Sequence, residues 1–155
     1  LSLSNGFTLV ELLIVIAVIG ILATVLIVAV NPLKQLQKSR DTQRKTALKT
    51  MQSALEQYFA DNGAYPIHAG CSSGSACWNT FLPASYLAVK PLDPSANGTN
   101  CTSSTYGYRY VGTATAYTLT ARLENTTDTQ GQTGTINGCS YGNSSNVKYS
   151  LASQQ

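Results

Sequence analysis

From Phe7 to Val30 the chain reads FTLVELLIVIAVIGILATVLIVAV, an apolar run containing one ionisable side chain, Glu11. At about 1.5 Å per residue, roughly 24 residues make a helix of about 36 Å, against a bilayer hydrocarbon core of about 30 Å. The run therefore reads as a transmembrane helix. A carboxylate inside such a segment costs on the order of 2.5–3.5 kcal/mol on insertion scales, so Glu11 marks a functional position.

What precedes the run does not read as a secretory signal. Such a signal needs a basic n-region, about 7–15 apolar residues and a small-residue cleavage site after them. Leu1–Asn5 is uncharged, the apolar run is too long, and no such site follows it. The small residue in a suggestive place is Gly6, on the amino side, where a cut would leave the whole hydrophobic segment on the mature protein. Thr8-Leu9-Val10-Glu11 also has the spacing of a capping box, in which Glu11 satisfies a free backbone N–H at the helix start. That role accounts for neither Gly6-Phe7 nor a charge in lipid, and the two roles are compatible before any assembly.

Gly6-Phe7-Thr8-Leu9-Val10-Glu11-Leu12, followed by the uninterrupted span, resembles the prepilin peptidase motif of type IV pilins and type II secretion pseudopilins. The resemblance is close over residues 6–30 and looser to about Pro66. It implies cleavage after Gly6, with 1–6 a leader remnant, N-methylation of Phe7, and retention of Glu11 as the assembly carboxylate. It further implies that Glu11 pairs with the Phe7 ammonium of a neighbouring subunit. Gly20 and Pro32 are similar to the landmarks between which the family's helix unwinds in a filament, with Pro32 placed somewhat late. Asn31-Pro32 also reads on its own terms as a kink or local unwinding, because proline removes a helical hydrogen bond and clashes with the preceding turn.

Downstream, Leu48, Met51, Leu55, Tyr58 and Phe59 recur at three- and four-residue steps beside Ala47 and Ala54, which predicts an amphipathic helix to about Asn62. Asp61-Asn62-Gly63 and Tyr65-Pro66 stop it. Residues 67–104 read as a loop-rich connector in which Trp78 plugs the gap between helix and sheet. Tyr106–Val111 and Tyr117–Leu123 alternate as two strands of a hairpin around Gly112–Ala116, with a third strand at Val147–Leu151. Asn125–Asn146 reads as an exposed loop.

The fold expected is thus α+β and pilin-like. A long N-terminal helix, transmembrane over 7–30 and amphipathic over 31–62, packs on a small antiparallel sheet in a β head spanning 63–155. Four cysteines, Cys71, Cys77, Cys101 and Cys139, all lie in that head. An even count in a loop-rich, extracytoplasmic region reads as two disulfides. Three connectivities are open, and sequence proximity favours Cys71–Cys77 with Cys101–Cys139. The spacings and a single histidine, His68, argue against zinc.

Charge narrows the function. Charged residues make up 11% of the chain, and the net charge of +3 selects no partner. Lys34, Lys38, Arg40, Arg44, Lys45 and Lys49 cluster just after the span. Taken alone, the positive-inside rule would put the head in the cytoplasm. The cysteines and the missing basic leader favour the opposite orientation. The cluster then reads as a solvated helix face or an inter-subunit pairing surface, ahead of DNA or anionic lipid. No catalytic constellation is visible, and a Glu124–Asp128 carboxylate pair has nothing to fix it in a cleft. With Asp93, those two acids are the ones available for a calcium site of the kind seen in major pseudopilins. Calcium takes six to eight oxygens, so no metal or other cofactor is expected.

The chain is expected to be a non-enzymatic structural subunit, a helical homopolymer of the pilus type. It would wait in the inner membrane with its head extracytoplasmic, meet prepilin peptidase and assembly machinery, and end in a surface pilus. A type II secretion pseudopilin or DNA-uptake pilus subunit is the alternative, with a membrane-anchored adhesive domain behind it. No pattern assigns a nucleic acid.

Overall fold

The computed structural model describes residues 6–95, 106–132 and 148–153, without the side chains of residues 28–30. The chain divides into two units, Leu1–Leu36 and Gln37–Gln155.

In the first unit, Leu9–Val30 forms helix α1. Val and Ile are indifferent helix formers in water. In lipid every backbone polar group must be satisfied within the segment, a requirement that a run of this composition meets as a helix. The stretch Leu9–Ile27 is long and apolar enough to cross a membrane, and none of it is buried in the protein. Gly20 lies inside an unbroken α1. The kink expected at Asn31-Pro32 is a full break. Asn31 is left-handed at φ 43°, a conformation Asn tolerates through its short polar side chain. Pro32 opens helix α2, Pro32–Asn62, at the position where a missing N–H costs nothing. The Asn31 carbonyl and side-chain oxygens accept from the Lys34 N–H at 3.1 and 3.3 Å, so one residue ends a helix and caps the next.

In the second unit, α2 buries Leu48, Met51, Ala54 and Leu55, the stripe read from the sequence, together with Asp41 and Arg44. Ala47, Tyr58 and Phe59 pack at its margin. Gly63 terminates the helix at φ 69°, donating to the Phe59 carbonyl at 2.8 Å. This is the left-handed cap for which a Cβ is a penalty.

Four antiparallel strands follow in spatial order β1-β2-β3-β4: β1 His68–Ser72, β2 Tyr108–Gly112, β3 Tyr117–Arg122 and β4 Lys148–Ala152. A short helix, α3 (Ala76–Thr80), joins β1 toward β2. Register places Tyr110 opposite Leu119 and Ala121 opposite Tyr149. Tyr108, Tyr110, Tyr117, Leu119 and Ala121 are buried in one cluster with Leu48, Met51 and Leu55 of α2. Cutting one of those fully buried α2 side chains to Ala would cost about 2–5 kcal/mol. Trp78, on α3, is fully buried against Phe81 and Tyr108 and donates its indole N–H to the Pro91 carbonyl at 3.2 Å.

The expected hairpin and third strand are present within a residue or two. The connector differs. His-Ala-Gly-Cys-Ser has no apolar alternation, yet it forms β1, pairing Cys71 with Tyr110 and Ser72 with Arg109 after a register shift. Tertiary pairing overrides weak local propensity there. Cys71 and Cys77 are joined, with Cα atoms 5.7 Å apart; Cys101 and Cys139 lie outside the described residues.

Candidate functional site

Two constellations stand out, one in each unit. The first is the head of α1. Gly6 has open space around the position a Cβ would take. Phe7 is 87% exposed. Thr8 is the N-cap of α1 in extended conformation, and the capping box is complete. The Thr8 hydroxyl accepts from the Glu11 N–H at 3.2 Å, the Thr8 N–H donates to Glu11 Oε2 at 2.9 Å, and the Thr8 hydroxyl also donates to that oxygen at 2.7 Å. The one carboxylate of this apolar helix is thus folded back on the helix's own N-terminal turn. The side chains of α1 beyond it are exposed as far as Ile27.

The second constellation corrects two expectations about charge. The basic residues of α2 do not all form a solvated face, and Glu124 and Asp128, expected to have nothing to fix them, are each held by basic side chains. Arg44 is fully buried. Its Nε and Nη2 grip the two oxygens of Asp93 at 2.8 and 2.9 Å. Its Nη1 donates to Asp41 Oδ1 and Glu124 Oε1, both at 2.8 Å, and Nη2 also reaches Ser95 Oγ at 2.7 Å. Arg40 forms a two-pronged pair with Glu124, one prong at 2.7 Å from its Nε. Asp41 turns its oxygens to the backbone N–H groups of Glu124 and Asn125 at 2.8–3.2 Å. Lys45, next in sequence, takes both oxygens of Asp128 at 2.7 Å. Arg44 also lies over the Tyr106 ring, 4.6 Å from its centroid.

The electrostatics follow from these contacts. Burial by itself works to lower the Arg44 pKa, but the bonds from Asp93, Glu124 and Asp41 outweigh it and raise it. The hydrogen bonds from Arg40, against the opposing effect of burial and with help from Arg44, hold the Glu124 carboxyl down at about 2. Burial pulls the Asp128 carboxyl up, and the Lys45 bond more than offsets it. Removing one partner from such a network strands a buried charge, at about 3–5 kcal/mol.

A smaller knot lies further along α2. Tyr65 and Tyr117 both donate to Glu56, each at 2.8 Å, tying helix to hairpin. Burial, reinforced by Glu56, pushes the Tyr65 phenol up to about 12. His68 opens β1, half-buried.

Comparison with known proteins agrees with the first constellation. Residues 1–27 match the family described as the prokaryotic N-terminal methylation motif. The chain is 40% identical over 62 residues to the type IV major pilin protein PilA of Myxococcus xanthus, covering 40% of this chain and 27% of that protein. It is 36% identical over 100 residues to the type II secretion system core protein G of Pseudomonas aeruginosa, covering 60% of this chain and 69% of that protein. No solved structure matches.

Proposed function

The chain belongs to the family of type IV pilins and type II secretion pseudopilins, and from that premise we propose that it is the structural subunit of a type IV pilus. The observation that carries this reading is the head of α1: an open Gly6, an exposed Phe7 and a carboxylate four residues on, inside a segment fit to span a membrane. Prepilin peptidase cuts after Gly6, and the new Phe7 amine is methylated. The subunit is held in the inner membrane by α1, head outward, until the assembly machinery extracts it. In the filament, α1 segments bury against one another, so lipid is replaced by protein. Glu11 then leaves Thr8 for the Phe7 ammonium of a neighbour, and an unpaired charge in that core is penalised strongly enough to set register.

A type II secretion pseudopilin is the second reading, favoured by the longer match to core protein G. The head favours the pilus: Asp93, Glu124 and Asp128, the acids a calcium site would draw on, are held by Arg44, Arg40 and Lys45.

Glu11→Ala tests the assembly role. Insertion should be unchanged, since a charge leaves an apolar segment. The variant should accumulate, be cleaved at Gly6, and yet form no filaments by electron microscopy of sheared surface fractions. Abundant filaments built from Glu11→Ala alone would leave Glu11 only its capping role, worth about 1 kcal/mol.

A further inference from the structure

We propose that the Arg44 guanidinium is the resident structural cation of the head, filling the role of a divalent metal ion and making the head's closure independent of any metal. Calcium is the ion that the family resemblance raises for Asp93, Glu124 and Asp128, and the donor set does not fit it. Calcium takes six to eight oxygens at about 2.3–2.6 Å. Among the described residues no group of three or more His, Cys, Asp or Glu side chains could hold a metal ion. Asp128 is drawn to Lys45 instead, at 2.7 Å.

Asp93 and Glu124, joined by Asp41 and Ser95, fit a guanidinium at every position. The group carries five N–H donors in a rigid planar fork. Nε donates to Asp93, Nη1 to Asp41 and Glu124, and Nη2 to Asp93 and Ser95, all at 2.7–2.9 Å. Each donor has an acceptor, and the side chain is fully buried. The acceptors on Asp93 and Glu124 lie 49 and 80 positions from Arg44 in sequence. One planar cation therefore joins α2, the segment at 93–95 and the segment just after β3, as a structural metal joins distant segments. Like a metal ion it stays charged at any pH the protein meets, and unlike one it cannot be chelated.

The experiment uses the full chain in detergent micelles, with thermal unfolding followed by near-ultraviolet circular dichroism. Excess chelator and millimolar calcium should each leave the unfolding temperature of the wild type within about 1 °C, and calorimetry should detect no calcium binding. Arg44→Ala should lower it by about 10 °C. Methylguanidinium, at concentrations that leave the wild type unchanged, should restore part of that loss, and calcium none. A chelator-sensitive or calcium-stabilised wild type would overturn the proposal. So would an Arg44→Ala chain that calcium restores and methylguanidinium does not. Should Arg44→Ala fail to fold, Asp93→Asn keeps the guanidinium and removes one of its carboxylates. That variant should melt lower and remain indifferent to calcium, and stabilisation of it by calcium would count against the proposal. None of these readouts depends on filament formation.

Discussion

Glu124 shows how one side chain makes the head's stability a function of pH. Its folded value is near 2 against an ordinary 4.5, because Arg40 and Arg44 bond its charged form. A depressed carboxyl stabilises the fold above its unfolded value and loses that contribution as pH falls toward the folded one. Acid titration of the unfolding temperature should therefore show a loss beginning near pH 4.5 and complete near pH 2. Glu124→Gln should be less stable than wild type at neutral pH and flatter across that window. A wild-type profile unchanged from pH 5 to 2 would contradict the assignment. The pairing was not legible in the sequence. Arg40 and Glu124 are 84 positions apart, and residue spacing reports only neighbours on one helix or strand. Gly6 is the opposite case: the role proposed for it rests on the six residues after it, a local pattern that a sequence displays directly. If prepilin peptidase cuts there as proposed, Gly6→Leu, which puts a side chain into the open space at that position, should leave uncut precursor in the membrane on immunoblots.

At the scale of elements, α2 and the β2–β3 hairpin were readable because each is held by its own periodicity. The β1 strand was not, because what holds it comes from outside its five residues: the pairing to β2 and the Cys71–Cys77 bond. Closing a loop of that size contributes about 2 kcal/mol by the chain-entropy argument. Cys71→Ser with Cys77→Ser should raise amide hydrogen exchange across 68–72 while β3 stays protected, as read by mass spectrometry; equal exchange with and without the bond would show that strand pairing alone fixes β1. The hairpin has its own critical point at Gly112, over which the Tyr110 ring lies, donating to the Pro66 carbonyl at 2.6 Å. A Cβ at Gly112 would collide with that hydroxyl and carbonyl. Gly112→Ala should cost about 1–3 kcal/mol in denaturant unfolding, as overpacking does. The same change at Gly6, where nothing lies within reach, should leave stability unaltered.

For the whole molecule, the resemblance and the span specify a long apolar N-terminal helix followed by an α+β head. They do not specify what closes the head, because buried charge pairs leave no hydropathy signal and read as surface. The N-terminal peptide of the mature protein should begin at Phe7 and carry one added methyl group. Cys71, Cys77, Cys101 and Cys139 should all be disulfide-bonded, with no thiol available to alkylation under denaturing conditions. Peptide mapping by mass spectrometry, with and without reduction, checks both. A mature N-terminus retaining residues 1–6 would overturn the proposed processing step.

The closed Thr8–Glu11 ring has a consequence for kinetics. If a subunit must open that ring before its carboxylate can meet a neighbour, each addition contains a step that involves one molecule only. Elongation would then stop accelerating as subunits become crowded in the membrane, levelling off at the opening frequency. Thr8→Val, which removes the hydroxyl bonds and keeps the shape, should raise that plateau. The residue beside the carboxylate would act as a governor on growth, limiting how fast a crowded membrane can empty itself into filaments.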